Sequence, residues 1–294
     1  MEGPKKIPYN LPSEAVWFIT GCSSGLGKSL SQHVIAQGGR LVATARNPST
    51  LSYLPDGPST LKLALDVTSP ASIDAAIGAA VARFGRLDVV VNNAGYLLSG
   101  DTENATDADA RRSVDTNFWG VVDVTKRAIG VMRDTNPGTG GGQQGGVIMN
   151  VTSLGGRVGF PGSAFYNGAK FAVEGFTESV WLELRPEWNV NVCTVQPGAV
   201  KTDFVSRSTQ KIAPHPAYAA ADSPTRVLEG YMNNPDAALA WADAEVMVAC
   251  MYEVVARGQV IPLRVPLGPD TWGLLKADAE KTLRLLEECK ELAL

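Results

Sequence analysis

The sequence predicts a single doubly wound α/β domain, a mostly parallel sheet of seven strands with helices on both faces. Three observations predict it. A short apolar run, Ala15 to Thr20, meets glycines at 21, 25 and 27 and then a stretch with helical spacing through Leu30, Val34 and Ile35. Apolar, β-rich runs alternate with helical stretches along the rest of the chain, the pattern of parallel strands joined by crossover helices. The 294 residues, 45% of them hydrophobic, can bury a large core in one unit.

Taken in order, residues 1–13 are polar, carry three prolines and lack an apolar signal core, so they read as a loose leader before a domain over 14–294. Strands are expected to begin near residues 15, 40, 61, 87, 147, 189 and 259. The stretch from Asn136 to Gly146 is too glycine-rich to order itself cheaply and reads as a flexible loop before the fifth strand, away from the chemistry. Residues 205–235 are rich in Ser, Ala, Pro and Asn around a helix. Pro269 to Leu294 has helical spacing at Leu274, Leu275, Leu283, Leu286 and Leu292. Acids outnumber bases there, so a docking helix or a subunit contact, in a homodimer or homotetramer, suits it better than a membrane anchor. No repeat is visible.

The first strand, its glycine turn and the following helix form a candidate phosphate cradle over Thr20-Gly21-Cys22-Ser23-Ser24-Gly25-Leu26-Gly27. Such a turn presents backbone N–H groups and a helix N-terminus to a pyrophosphate. Gly21 can turn tightly, Gly25 lets the backbone approach the ligand, and Gly27 allows close helix–strand packing. The spacing is G-x-x-x-G-x-G rather than G-x-G-x-x-G. The second strand, Arg40 to Ala45, ends without the acid that commonly holds a ribose 2′-OH, and Arg46 follows. A guanidinium suits a 2′-phosphate, so NADP (NADPH) is the expected cofactor. Lys28 is a second cation nearby, expected on the exposed helix face.

Tyr166 and Lys170 are four residues apart in a helical stretch and share a face. An adjacent ammonium stabilises a phenolate, so the tyrosine pKa should fall from about 10 toward a useful range. Ser153 ends another apolar strand, and its hydroxyl can hydrogen-bond a carbonyl oxygen. Tyr166 would pass a proton to that oxygen, Lys170 would tune it and hold a ribose, and Ser153 would orient the substrate. Gly168 lies inside this helix, where glycine costs about 1 kcal/mol against alanine; either it permits close cofactor approach or it only weakens the helix.

Together these motifs resemble the short-chain dehydrogenase/reductase family, whose fold is a Rossmann-type sheet. The resemblance runs over about residues 14–205. It rests on Thr20 to Gly27, Asp66-Val67, Asn92-Asn93-Ala94-Gly95, Asn117-Phe-Trp-Gly120, Ser153 followed thirteen residues on by Tyr166, Lys170, and Pro197 to Thr202. It implies hydride transfer between NAD(P) and an alcohol or carbonyl, and the Ala45-Arg46 pair resembles NADP-preferring members. It also implies that Asn117 holds a water in a proton relay with Lys170. Asp66 and Val67 would lie by the adenine, and Asn93, Ala94 and Gly95 would back the adenosine ribose. Pro197, Gly198, Val200 and Thr202 would pack near the nicotinamide, and residues 205–235 would cover the substrate. Leu154, Gly155, Phe160, Phe165 and Phe204 are candidate walls, mostly apolar, so a bulky apolar alcohol or ketone is expected.

The net charge of −4 with no basic cluster argues against a nucleic-acid partner. The longest apolar runs fall short of the ~20 residues of a membrane span. Cys22, Cys193, Cys250 and Cys289 lack metal or disulfide spacing, which suits reduced thiols in the cytoplasm. His33 and His215 are the only histidines, too few for a histidine metal site or a Ser-His-Asp triad, and His33 is expected at a surface or boundary. Asp203 and Glu174 read as surface acids. A second class stays open: a dinucleotide-binding regulator, or a scaffold for a non-redox reaction.

Overall fold

The computed structural model describes residues 7–139 and 144–292. The chain runs β1 (Val16–Ile19), α1 (Gly25–Ala36), β2 (Arg40–Ala45), β3 (Thr60–Ala64), α2 (Pro70–Phe84), β4 (Val89–Asn92), α3 (Asp107–Val114), α4 (Gly120–Gly130), β5 (Gly146–Val151), α5 (Ala164–Glu183), β6 (Val190–Pro197), α6 (Pro224–Met232), α7 (Ala244–Ala256), β7 (Arg264–Leu267) and α8 (Pro269–Glu288). The sheet order is β3-β2-β1-β4-β5-β6-β7, and every pairing in it is parallel.

Successive side chains on a strand point to opposite faces, and this sorts the core into two. Trp17, Ile19, Leu41, Ala43, Val89 and Val91 pack with Leu30 and Val34 of α1 and Met247, Met251 and Val255 of α7. Val16, Phe18, Val42, Val90, Ile148 and Val192 pack on the other face with Ile73 and Ile77 of α2, Val124 and Ala128 of α4, and Val180 of α5. Near-continuous apolar strands follow from this double covering. Across the second face a buried polar chain fixes two helices to the sheet: the Asn92 amide donates to Thr125 Oγ1 (3.0 Å) and Asn150 Oδ1 (2.8 Å), and the Asn150 amide donates to Thr177 Oγ1 (2.9 Å).

The strand order reverses between β1 and β4, and the crevice above the C-terminal ends of such strands is where ligands bind in open α/β sheets. Two short parallel ladders stand apart from the main sheet. Leu97–Ser99 pairs with Thr209–Lys211, and Val200–Lys201 pairs with Ala242–Asp243.

Three sequence expectations shift. The last strand begins at Arg264 rather than near 259. Pro262 cannot donate to a ladder, and pairing with β6 opens only where Thr194 N–H donates to the Leu263 carbonyl. Of the expected loose leader, residues 1–6 lie outside the described residues. Tyr9, however, is fully buried in the first core, and its N–H donates to the Gln259 carbonyl. In the glycine-rich stretch, 140–143 lie outside the described residues, while its base is ordered: the buried Asn136 amide donates to the carbonyls of Leu87 and Gly145, both at 2.7 Å. That base sits at the N-terminal ends of β4 and β5, opposite the crevice.

Candidate active site

The turns after β1 and β4 are stitched across the crevice. Thr20 Oγ1 accepts from the N–H groups of Asn93 and Ala94, both at 2.9 Å. The Asn93 amide donates to the carbonyls of Thr20 (2.9 Å) and Gly21 (3.1 Å). Gly21 has φ +73°, and a Cβ there would lie 2.8 Å from Ala94 Cα, so only glycine fits both the turn and the contact. Ser24 caps α1 without a side-chain hydrogen bond, leaving the first-turn N–H groups without a side-chain acceptor. Ser23 is exposed, while Leu26 packs against the first core and Gly27 is buried against the Gly21 carbonyl. Across the crevice, Thr202 is the nearest group to Gly25, 3.8 Å from where its Cβ would be. Lys28 is exposed on α1, over the Tyr53 ring.

On the side expected to face an adenine, Arg46 is exposed directly after β2, whereas Ala45 is buried. The Asp66 carboxylate accepts from Thr68 Oγ1 (2.7 Å) and N–H (2.9 Å). Those two bonds hold it below the usual carboxylate range, with a smaller contribution from Arg46. Val67 is buried against Gly120, where a Cβ would come within 2.8 Å of its Cγ2.

The acid–base residues converge from three elements. Ser153 follows β5, its Oγ accepts from Gly155 N–H (3.0 Å), and it lies beside the Tyr166 ring: a Cβ at Gly155 would sit 3.5 Å from Ser153 Oγ and 3.6 Å from Tyr166 Cε1. Tyr166 and Lys170 sit one turn apart on α5, with Lys170 Nζ 5.6 Å from the Tyr166 ring centroid. Gly95 brings the third element in: a Cβ there would lie 2.6 Å from Asn117 Oδ1 and 3.6 Å from Lys170 Nζ. No side chain fits between them.

Electrostatics correct one expectation. Burial pushes the Tyr166 phenol up to about 12, tempered by the neighbouring Ser153 hydroxyl. Burial pulls Lys170 down to about 8, opposed by Glu174. The lysine ammonium donates to the Val151 carbonyl at 2.8 Å, and burial outweighs the lowering of the phenol that the spacing suggested. Asn117 lies in a π-helical turn, Asp115–Trp119, between α3 and α4. Its amide donates to the carbonyls of Tyr96 (2.9 Å) and Ser113 (3.0 Å), and its Oδ1 accepts from Tyr96 N–H (3.2 Å). The side chain therefore pins the turn at 95–96, with its Oδ1 on the Gly95 side that Lys170 Nζ also flanks. Gly168 is exposed, with open space where a Cβ would be, so no protein contact requires it.

After β6, Gly198 N–H donates to the Leu267 carbonyl and Ala199 N–H to Asp270 Oδ2, at 3.1 and 3.0 Å. The start of α8 thus backs the turn formed by Pro197, Gly198, Val200 and Thr202. On the side expected to face the substrate, Phe204 lies by Tyr166 with ring centroids 6.4 Å apart. Leu154 and Gly155 are buried, and Phe160 and Phe165 are half-buried. The segment expected to cover the substrate is latched by a residue that sequence reasoning missed. Asp101, with its side chain fully buried, accepts from His215 N–H (2.9 Å) and from Arg226 Nη2 of α6 (3.0 Å). Glu174, read as a surface acid, is buried at 4% exposure, and Asp203 is exposed as expected. His33 is half-buried, edge-on to Tyr252. Asp101, Glu174 and Asp270 carry no local pattern that marks them, since each binds partners 20 to 125 residues away.

Among the described residues no helix is long and apolar enough to cross a membrane, and no group of three or more His, Cys, Asp or Glu could hold a metal ion.

The short chain dehydrogenase family model matches residues 15–213. The oxidoreductase calM of Penicillium decumbens is 46% identical over 291 residues, 97% of this chain and 94% of that protein. A short-chain dehydrogenase from Streptomyces avermitilis superposes with a TM-score of 0.83 at 27% identity, covering 96% of this chain and 98% of that one. Two further structures share the fold at 21% identity. One, from Burkholderia phymatum in complex with NAD, has a TM-score of 0.74 and covers 98% of this chain and 96% of its own. The other, from Burkholderia cenocepacia in complex with NADP, has a TM-score of 0.69 and covers 94% and 97%. The chain belongs to the short-chain dehydrogenase/reductase family and is an oxidoreductase of that family.

Proposed function

We propose that this oxidoreductase uses NADP(H) to interconvert a carbonyl and a secondary alcohol on a bulky apolar substrate. The observation that carries the reading is the convergence of Ser153, Tyr166 and Lys170 beside Gly95, above the glycine turn at the switch point. The residues fit a dinucleotide. The cradle has no room for side chains at Gly21 and Gly27, and α1 begins without a side-chain cap. Gly21, Ser23, Ser24, Gly25, Leu26 and Gly27 would hold the pyrophosphate, and Asp66, Val67, Asn93, Ala94 and Gly95 the adenosine. Pro197, Gly198, Val200 and Thr202 would flank the nicotinamide. The bound nicotinamide supplies or accepts hydride.

The protein's own part is proton handling and placement. The neighbouring Ser153 and Tyr166 hydroxyls can each donate their one proton to a shared substrate oxygen. A phenol near pKa 12 is held protonated at neutral pH, so in the reducing direction it is a loaded proton donor. Lys170, near 8, is poised to hold or release a proton behind it. Phe204 and the latched cover give the site an apolar wall that excludes water. The convergence of an acid–base group disfavours a purely regulatory dinucleotide binder, which has no use for it. The exposed Leu283 and Leu286 of α8 support a subunit contact in a homodimer or homotetramer.

The choice of NADP rests on Arg46, exposed where an acid would otherwise read the ribose. Fluorescence titration of both cofactors tests it. Arg46→Ala should weaken NADPH about ten- to a hundredfold, the value of a charge-assisted hydrogen bond, and leave NADH nearly unchanged. Ala45 is buried, so Arg46→Asp rather than a change at 45 is the cleaner switch toward NADH. Equal losses for both cofactors would mean that Arg46 does not read the phosphate.

A further inference from the structure

The catalytic helix carries a second buried charge that the reaction as described does not use. Glu174 lies one turn beyond Lys170 on α5, and both side chains are 4% exposed. A carboxylate this deep is costly unless its oxygens are satisfied, and here each is. Oε1 accepts from Thr152 Oγ1 at 2.6 Å, and Oε2 accepts from Thr194 Oγ1 at 3.1 Å. Arg264 of β7 reaches Oε2 from the outer edge at 3.4 Å and also pairs with Glu178, one turn further along the helix.

The placement is specific to the site. Lys170 and Glu174 grip the last residue of the strand that leads to Ser153 and the residue after it. The ammonium takes the Val151 carbonyl, and the carboxylate takes the Thr152 hydroxyl. Gly156 lets the chain close over both: a Cβ there would sit 3.2 Å from the Lys170 carbonyl and 3.3 Å from Glu174 Cγ. We propose that Glu174 is a positioning residue that keeps the buried Lys170 ammonium charged and Ser153 in place, and that Arg264 moderates its field. This rests on the oxidoreductase reading of Tyr166 and Lys170.

The other groups facing the pair are few. On α5 they are Tyr166 and Glu178. From β6 comes Cys193, a thiol that burial and then Glu174 push up to about 12, so it stays neutral. From β7 comes Arg264, and from the π-turn side the uncharged Asn117. Among the described residues, Glu174 supplies the negative charge that offsets the burial of Lys170. Arg264, 34% exposed on its side chain, keeps the carboxylate from being isolated without neutralising it by a short contact.

The test is a pH titration of Lys170 in the dinucleotide-free protein, labelled with ε-13C lysine, its resonance identified by loss in Lys170→Arg. The wild-type midpoint should fall near 8. Glu174→Gln keeps the shape and an acceptor for Thr152 but removes the charge, and should lower the midpoint by roughly one pH unit. Arg264→Gln spares Glu174 and should raise it by roughly half a unit, so it decides the matter if the first variant does not fold. In the loaded enzyme the alkaline limb of kcat/KM for carbonyl reduction should move in the same directions. Folded variants whose Lys170 midpoint stays within about 0.2 units of wild type would overturn the proposal. Shifted midpoints in a protein whose wild type reduces no carbonyl would instead refute the functional reading and leave the electrostatic assignment intact.

Discussion

Replacing Asp101 with asparagine should loosen the cover over the site without unfolding the sheet. The carboxylate is fully buried and makes two bonds to the cover, one to the His215 backbone and one to Arg226. Asparagine keeps the shape and one acceptor, but it leaves the Arg226 guanidinium, itself only 15% exposed, without its buried counter-charge. Removing one partner of a buried pair costs about 3–5 kcal/mol. Arg226 retains a contact to Glu229 at 3.3 Å, so the lower end, about 3 kcal/mol, applies. Asp101 is the residue that Arg226 of α6 pairs with on the body of the domain, so the loss should appear as local opening of α6. Hydrogen exchange read by mass spectrometry would show it: amides of α6 should exchange about a hundredfold faster, while amides of β4 stay protected. Equal acceleration in β4 and α6 would show that Asp101 supports the whole fold. Unchanged α6 exchange would show that it does not latch the cover at all.

Other expectations are equally direct. Tyr166→Phe should lower kcat by about 10²–10⁴-fold with dinucleotide affinity intact by fluorescence titration. Lys170 is pulled from 10.5 to about 8 by burial, so above pH 8 the unfolded chain binds the extra proton and wild-type stability should rise with pH. Measured by urea denaturation relative to Lys170→Met, the gain should approach about 2 kcal/mol at pH 9.5 and vanish below pH 7. Asn136→Ala removes bonds to Leu87 and Gly145 and should cost roughly 2–4 kcal/mol, whereas deleting residues 140–143 should cost under about 1 kcal/mol. Neither change should alter cofactor affinity, a contrast that thermal melts and titrations can check together.

What could be read from the sequence was whatever depends on spacing along it. Gly21, Gly25 and Gly27 announce a turn because strand and helix signals flank them, and Tyr166 and Lys170 meet because a helix repeats every 3.6 residues. Strand faces follow from alternation, so six of the seven starts fell within about three residues. Tertiary partners were not readable. Glu174 is a polar letter on an amphipathic helix until Thr152, Thr194 and Arg264 are folded around it. Tyr9 looked like part of a leader because its partner, Gln259, lies at the other end of the chain. The direction of the Tyr166 shift failed for a related reason. Adjacency on a helix does not say where the ammonium points, and burial, invisible in one dimension, dominates.

The two small ladders outside the main sheet bear on how such a protein can change what it acts upon. Val200–Lys201 pairs with Ala242–Asp243, so the forty or so intervening residues leave and rejoin the body through hydrogen bonds of the main chain. Leu97–Ser99 grips the same excursion at Thr209–Lys211. Main-chain bonds are indifferent to side-chain identity. Apart from residues such as Thr202, Phe204 and Arg226, which contact the body through their side chains, the stretch between them can therefore vary in sequence while Ser153, Tyr166 and Lys170, all held outside it, keep their places.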